Sequence, residues 1–211
     1  LMWRDYFEFL ARRHGRRLFW RSGFKGIGAH KTWLGPESRA FRAWCRGDTG
    51  APLVDANMRE LLATGFMSNR GRQNVASYLV HDLGVDWRLG AAFFEAHLVD
   101  YTAPANWGNW HAAAGLSGGR INRFNVVKQA RDYDPDGSYV KLWCPELAHV
   151  PAPTCLEIDK SRAVRGVLHA SSAAPDPAGG GGHRASKKKK KARGGSSSGR
   201  SRVQHDAGWD D

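Results

Sequence analysis

Apolar residues in the middle of this chain return every third or fourth position, and no stretch alternates apolar with polar for the length of a strand. That pattern constrains the fold more than any other feature. A period near 3.6 buries one stripe of a helix, whereas a period of two buries one face of a strand. Met58, Leu61 and Leu62 mark a helix over 56–64, with Asp55 as its expected N-cap and Gly65 as its stop. Val75, Tyr78, Leu79 and Leu83 mark a second over 72–83, ending at Gly84. Phe93, Phe94 and Leu98 mark a third over 89–98. Trp3, Tyr6, Phe7 and Leu10 give residues 1–15 the same spacing, with no capping residue ahead of them. A helix read in mid-course from Leu1 suggests a chain that extends further toward its N-terminus. The expected fold class is all-α.

From Ala170 onward the pattern breaks. Eight of these 42 residues are Gly, five consecutive lysines occupy 187–191, and only Val203 and Trp209 are large and apolar. Such a stretch cannot bury enough surface to offset its ordering entropy. The expected organisation is a folded body over 1–150, a connecting segment over 151–169 and a disordered Gly/Ser/Lys-rich tail over 170–211. The formal charge is +12, of which the tail carries nine basic and four acidic residues, so the body is basic in its own right. A basic surface suits a polyanionic partner, nucleic acid first, and also serves solubility. Lys187–Lys191 reads equally as a phosphate-binding run, a nuclear address or plain solvated charge.

No apolar run approaches the roughly 18 residues of a membrane span, so no membrane partner is expected. Cys45, Cys144 and Cys155 form no CxxC pair, which points to free thiols in a reducing, intracellular compartment. The nine His show no ligand spacing, and no metal site is expected. Asp134-Pro-Asp-Gly137 hints at a calcium loop, but Tyr139 and Pro145 stand where an EF-hand needs Gly and Glu, so a turn between helices is expected.

Three groups of residues go beyond what packing asks for. Gly65 to Gln73 crosses a helix–helix junction and gathers Asn69, Arg70, Arg72 and Gln73, two arginines and two amides suited to a phosphate or a planar heteroaromatic ring. Asp100 to Trp110 reads as a loop rich in Trp and Asn. Its carboxylate and amides match a ring with both donors and acceptors, such as a flavin. Trp33, Trp87 and Trp110 lie in three segments able to fold together, and closely spaced indoles can pass an electron. For each group a purely structural role is the competing reading, since a Trp most often serves core packing.

The longer motifs decide between these readings. Trp44 to Leu61 (Trp-Cys-Arg-Gly-Asp-Thr-Gly-Ala-Pro-Leu-Val-Asp-Ala-Asn-Met-Arg-Glu-Leu) and Thr64 to Ser77 (Thr-Gly-Phe-Met-Ser-Asn-Arg-Gly-Arg-Gln-Asn-Val-Ala-Ser) closely resemble the photolyase/cryptochrome family. Asp86-Trp-Arg-Leu-Gly90, Gly108-Asn-Trp110, Phe124 to Gln129, Tyr133 to Val140 and Trp143 to Leu147 continue the resemblance over about residues 1–150. Gln73 after Asn-Arg-Gly-Arg, with the Asn of Gly-Asn-Trp, is similar to the cryptochrome DASH branch.

The resemblance implies part of an all-helical domain that holds FAD, and light-driven repair of cyclobutane pyrimidine dimers in DNA, single-stranded by the branch's preference. It matches Arg4 with a position facing the flavin phosphates, and Asn69, Arg72, Asp100, Tyr101, Thr102 and Asn106 with positions around the isoalloxazine. It matches Trp110, Trp87 and Trp33 with the proximal, middle and surface members of the electron-transfer chain. Arg70 matches a DNA-backbone contact, and Trp3 and Gln73 match residues near a flipped dimer, which must leave the stack to reach a buried cofactor. A folate-type antenna pigment is expected only in an N-terminal domain outside this chain. A monomer is expected, in a chloroplast, mitochondrion or nucleus.

Three departures from the family pattern stand out. Thr102 replaces a second Asp beside the flavin, Ala112 replaces an aromatic residue two places after Trp110, and Trp33 to Trp44 is one residue longer than usual. A blue-light photoreceptor without repair activity, and an inactive truncated product, are the alternative expectations.

Overall fold

The computed structural model describes residues 2–119, 121–159 and 163. The expected tail over 170–211, its lysine run and most of 160–169 lie outside the described residues. Within them the chain is helical, with α1 at Met2–His14, α2 at Arg39–Arg46, α3 at Pro52–Thr64 and α4 at Asn69–Ser77. There follow α5 at Trp87–His97, α6 at Ala103–Ala113, α7 at Val126–Tyr133 and α8 at Ser138–Trp143. Among the described residues the sheet pairing is one isolated parallel bridge between Leu34 and Val85.

The expected helix at 56–64 begins a turn earlier than Asp55 suggests. Pro52 occupies the start of α3, where its fixed φ suits a helix and its missing N–H costs nothing. Asp55 therefore is not the N-cap. Its buried carboxylate accepts from the Thr49 backbone N–H at 2.7 Å, the Thr49 hydroxyl at 2.6 Å and the Gly50 N–H at 3.0 Å, and so fastens the loop ahead of the helix. Leu62, counted on the apolar face, is 45% exposed, whereas Met58 and Leu61 are buried. Gly65 ends the helix in the left-handed region, at φ 73°.

The second expected helix starts three residues earlier, because Ser68 caps α4 by accepting from the Gly71 N–H. It then widens into a π-turn over Tyr78–Asp82. Asp86 caps α5 at the Arg88 N–H. The segment Asp100 to Trp110, expected to be a loop, is mostly α6. Pro104 lies in its first turn, and Asn109 donates to the Ala105 carbonyl one turn back instead of breaking the helix.

α3 is buried on two sides. Val54, Met58 and Leu61 join the main core with Trp44, Trp87 and Trp110. Leu53 and Ala56 face a smaller core made with Ala130, Val140, Cys144, Cys155 and Leu156. Arg59 fastens that second layer by a two-pronged pair with Glu146 at 3.0 and 2.9 Å. The Asp134 carboxylate accepts from the Tyr139 and Val140 N–H groups, which makes Asp134–Gly137 the turn between α7 and α8.

Candidate flavin site and aromatic core

α4 and α6 pack together, which brings the start of α4 to the segment leading into α6. Arg72 joins the two. Its Nε donates to the Met67 carbonyl at 2.8 Å, and its Nη2 to both Asp100 oxygens at 3.0 and 2.9 Å. Asn106, one turn into α6, donates its amide to the Ala91 carbonyl of α5 at 2.9 Å, which fixes its orientation. Asn69, at the start of α4, and Thr102 are exposed, and the Thr102 hydroxyl makes no capping bond although the residue is the N-cap of α6. Burial first, and the Glu95 carboxylate second, push the Tyr101 phenol above its ordinary pKa.

Arg70 turns away from that pair. Its Nη1 donates to the Gln73 side chain at 3.0 Å and its guanidinium lies 5.2 Å over the Tyr133 ring. On α1, Arg4 pairs with its neighbour Asp5 at 3.2 Å, and no hydrogen bond joins it to the α4–α6 group among the described residues. Trp3 is half exposed and packs on Tyr6 and Phe7. Phe7 in turn seats α1 on α6, since a Cβ at Gly108 would stand 2.3 Å from the Phe7 ring. The Gly of Gly-Asn-Trp is thus required by this close approach.

The tryptophans occupy the interior. Trp110 is 2% exposed, with Phe94 at 5.2 Å and Trp44 at 6.2 Å, and its ring edge fills the space that a Cβ at Gly90 would need. Trp87 is fully buried and donates to the Arg21 carbonyl at 3.2 Å. The rings packed on Trp87 are Trp107 at 5.7 Å and His111 at 4.7 Å. Trp33 is half-buried under Lys31, and the Leu34–Val85 bridge sets its segment beside the start of α5.

Sequence reasoning missed Trp44, Trp107 and His111. Trp107, Trp110 and His111 fall at i, i+3 and i+4, a signal that becomes visible only when Asp100–Trp110 is read as helix. His111 has no exposed surface. Its Nε2 lies 2.7 Å from the Leu18 carbonyl, which requires the proton there, and its Nδ1 is buried without a partner. Burial brings its pKa down to about 4, so the ring is neutral. Among the described residues no cluster of His, Cys, Asp and Glu could hold a metal ion.

A family model for the FAD binding domain of DNA photolyase matches residues 1–174. A cryptochrome DASH of Ostreococcus tauri, described as chloroplastic/mitochondrial, is 60% identical over 152 residues, 72% of this chain and 27% of that protein. A cryptochrome DASH of Gloeobacter violaceus is 56% identical over 153 residues, covering 72% of this chain and 30% of that one. Among solved structures, a Synechocystis cryptochrome aligns with TM-score 0.67 and 49% identity, over 72% of this chain and 32% of that chain. An archaeal photolyase from Sulfolobus tokodaii, solved with two FAD molecules, aligns with TM-score 0.69 and 34% identity, over 79% and 40%. The chain spans less than a third of the length of the two curated relatives.

Fold and matched domain together define a flavoprotein whose cofactor is FAD. The chain belongs to the photolyase/cryptochrome family, in its cryptochrome DASH branch. The residues present fit that cofactor. A flavin edge carries both donors and acceptors, and the carboxylate of Asp100, the guanidinium of Arg72 and the amides of Asn69 and Asn106 supply both kinds of partner.

Proposed function

We propose that this chain takes part in light-driven repair of cyclobutane pyrimidine dimers, with single-stranded DNA as the preferred partner. The observation that carries the reading is the double use of α6. Its first turns follow directly on the Asp100 that pairs with Arg72 and carry Asn106, while farther along the same helix Trp107 and His111 pack on Trp87, and Trp110 packs on Trp44 and Phe94. One helix therefore links a polar face suited to a flavin with a relay of indoles.

Bound and in its reduced form, FAD would supply the light-absorbing electron donor, and the electron would return to it once the dimer ring has split. Arg72, Asp100 and Asn106 orient the isoalloxazine, Asn69, Tyr101 and Thr102 complete its surroundings, and Arg4 faces the phosphates. Trp33, Trp87 and Trp110 carry an electron inward from the surface to the polar face. Trp3 and Gln73 flank the extruded dimer, and Arg70 holds the backbone. A dimer in a single strand is cheaper to extrude than one in a duplex, which favours single strands. Ring opening asks no side chain to act as acid or base; the protein orients, excludes water and conducts. A folate-type antenna belongs to a segment outside this chain. The protein acts as an intracellular monomer, in a chloroplast, mitochondrion or nucleus.

The test is repair of a dimer-containing single strand by the full chain supplied with reduced FAD. Repair under blue light and none in the dark supports the reading. No repair in either, with FAD bound, favours the second reading, a blue-light photoreceptor. Ala112 is the observation on its side: a half-buried methyl stands where the family's stacking face is expected.

A further inference from the structure

Between Glu8 and Glu37 the chain carries seven Lys or Arg and no acidic residue. The folded protein keeps most of that charge on one side-chain cluster. Arg12, Arg13, Arg16 and Arg17, at the end of α1 and in the 3-10 turn after it, are exposed, and no carboxylate pairs with them among the described residues. Positive charge is crowded here. After burial, the charges of Arg13, Arg17 and Lys25 are what push the His14 pKa down.

Two large aromatic side chains interrupt this ridge. Phe19 is 45% and Trp20 44% exposed, high values in a chain that buries Trp44, Trp87 and Trp110. Arg17 lies 5.4 Å over the Trp20 ring. Phe19, Trp20, Arg21 and Arg88 line an open cavity of about 350 Å³, within the range of small-ligand sites. Asp86 engages both of these arginines, through Arg88 at 2.7 Å and Arg21 at 3.8 Å, so the cavity keeps one uncompensated positive charge.

Guanidinium groups without a carboxylate partner among the described residues, interleaved with exposed aromatic rings, match one partner chemistry: phosphates at regular intervals with unpaired bases between them. We propose that the ridge from Arg12 to Arg21 is a second nucleic-acid surface, which binds undamaged single strands by holding the backbone on Arg12, Arg13, Arg16 and Arg17 and stacking a base on Trp20. It is separate from Trp3, Arg70 and Gln73, and it needs neither flavin, nor light, nor a dimer. A lesion-independent hold of this kind keeps a strand on the protein while it is searched.

The experiment measures fluorescence anisotropy of labelled, dimer-free oligothymidylate with the full chain, in the dark and without FAD. Because the lysine run could bind the same probe, every protein also carries Lys→Gln changes at 187–191. Replacing Arg12, Arg13, Arg16 and Arg17 by Gln should weaken binding and lower the slope of log affinity against log salt by about 0.7 for each phosphate no longer neutralised. Trp20→Ala should weaken binding about tenfold and leave that slope unchanged. Arg42→Gln, an exposed arginine of α2 outside the ridge, should leave both quantities near those of the parent. Circular dichroism of each variant checks the fold. An unchanged affinity and slope in the fourfold variant overturns the proposal. So does a loss confined to phosphatidylserine vesicles with the oligonucleotide still bound, which would make the ridge a membrane surface. Failure of dimer repair would leave this result untouched, since no arm of the experiment uses flavin or light.

Discussion

His111 and Trp87 pack ring to ring at 4.7 Å and 63°, with the imidazole held at its other side by Phe24 at 4.8 Å. The buried Nδ1 has no partner to share a second proton, so this contact exists only with a neutral ring. In the unfolded chain the group titrates near 6.5, and in the folded chain near 4. Between those values the unfolded state binds a proton that the native state refuses. Stability is complete above pH 6.5 and falls as the pH drops toward 4, by about 3 kcal/mol in total. His111→Gln keeps a donor for the Leu18 carbonyl but cannot titrate. Urea midpoints at pH 7 and pH 5 should differ clearly less in that variant than in the parent. The remaining dependence comes in part from His81, whose pKa burial also lowers.

Gly108 gives a steric test of how α1 sits on α6. A methyl there would overlap the Phe7 ring, so Gly108→Ala should destabilise the protein by about 1–3 kcal/mol. Adding Phe7→Leu should recover part of that stability. Simple addition of the two effects in thermal unfolding would mean that this close approach does not set the packing.

Asp55 offers a test of what fastens α3. Asp55→Ala leaves the Thr49 and Gly50 donors buried without an acceptor and should cost about 2–4 kcal/mol. A cap residue would cost only about 1 kcal/mol. Thermal melts of Asp55→Ala and Asp55→Asn separate the two roles, since Asn retains one acceptor oxygen for the loop.

These residues also show what the sequence makes legible. α5 can be read because its signal is local, an apolar period through Phe93, Phe94 and Leu98, and the motifs that hold Arg72 and Asp100 can be read because their spacing is fixed. α6 cannot, because Pro104, Asn106, Gly108 and Asn109 are turn residues by local preference. Their helical state is fixed by Phe7 fitting over Gly108 and by Asn side chains returning to helix carbonyls, which are tertiary and structural facts. Asp55 misleads for a related reason. An acidic residue ahead of an apolar run resembles a cap, but Pro52 has already started the helix. Trp44, Trp107 and His111 give no local signal of special use, since any buried ring first reads as packing.

Arg72 and Asp100 hold together the junction of α4 and α6, the face proposed above to receive the flavin. Arg72→Lys keeps the charge but loses the planar fork that reaches Met67 and both Asp100 oxygens together. The most direct measurement is FAD titration of the full chain, followed by the visible flavin band that survives desalting. The expected result is a retained, structured band in the parent and affinity about tenfold weaker in Arg72→Lys and Asp100→Asn. Parent and variants that bind FAD equally well, or a parent that emerges colourless, would contradict a flavin face built on this pair.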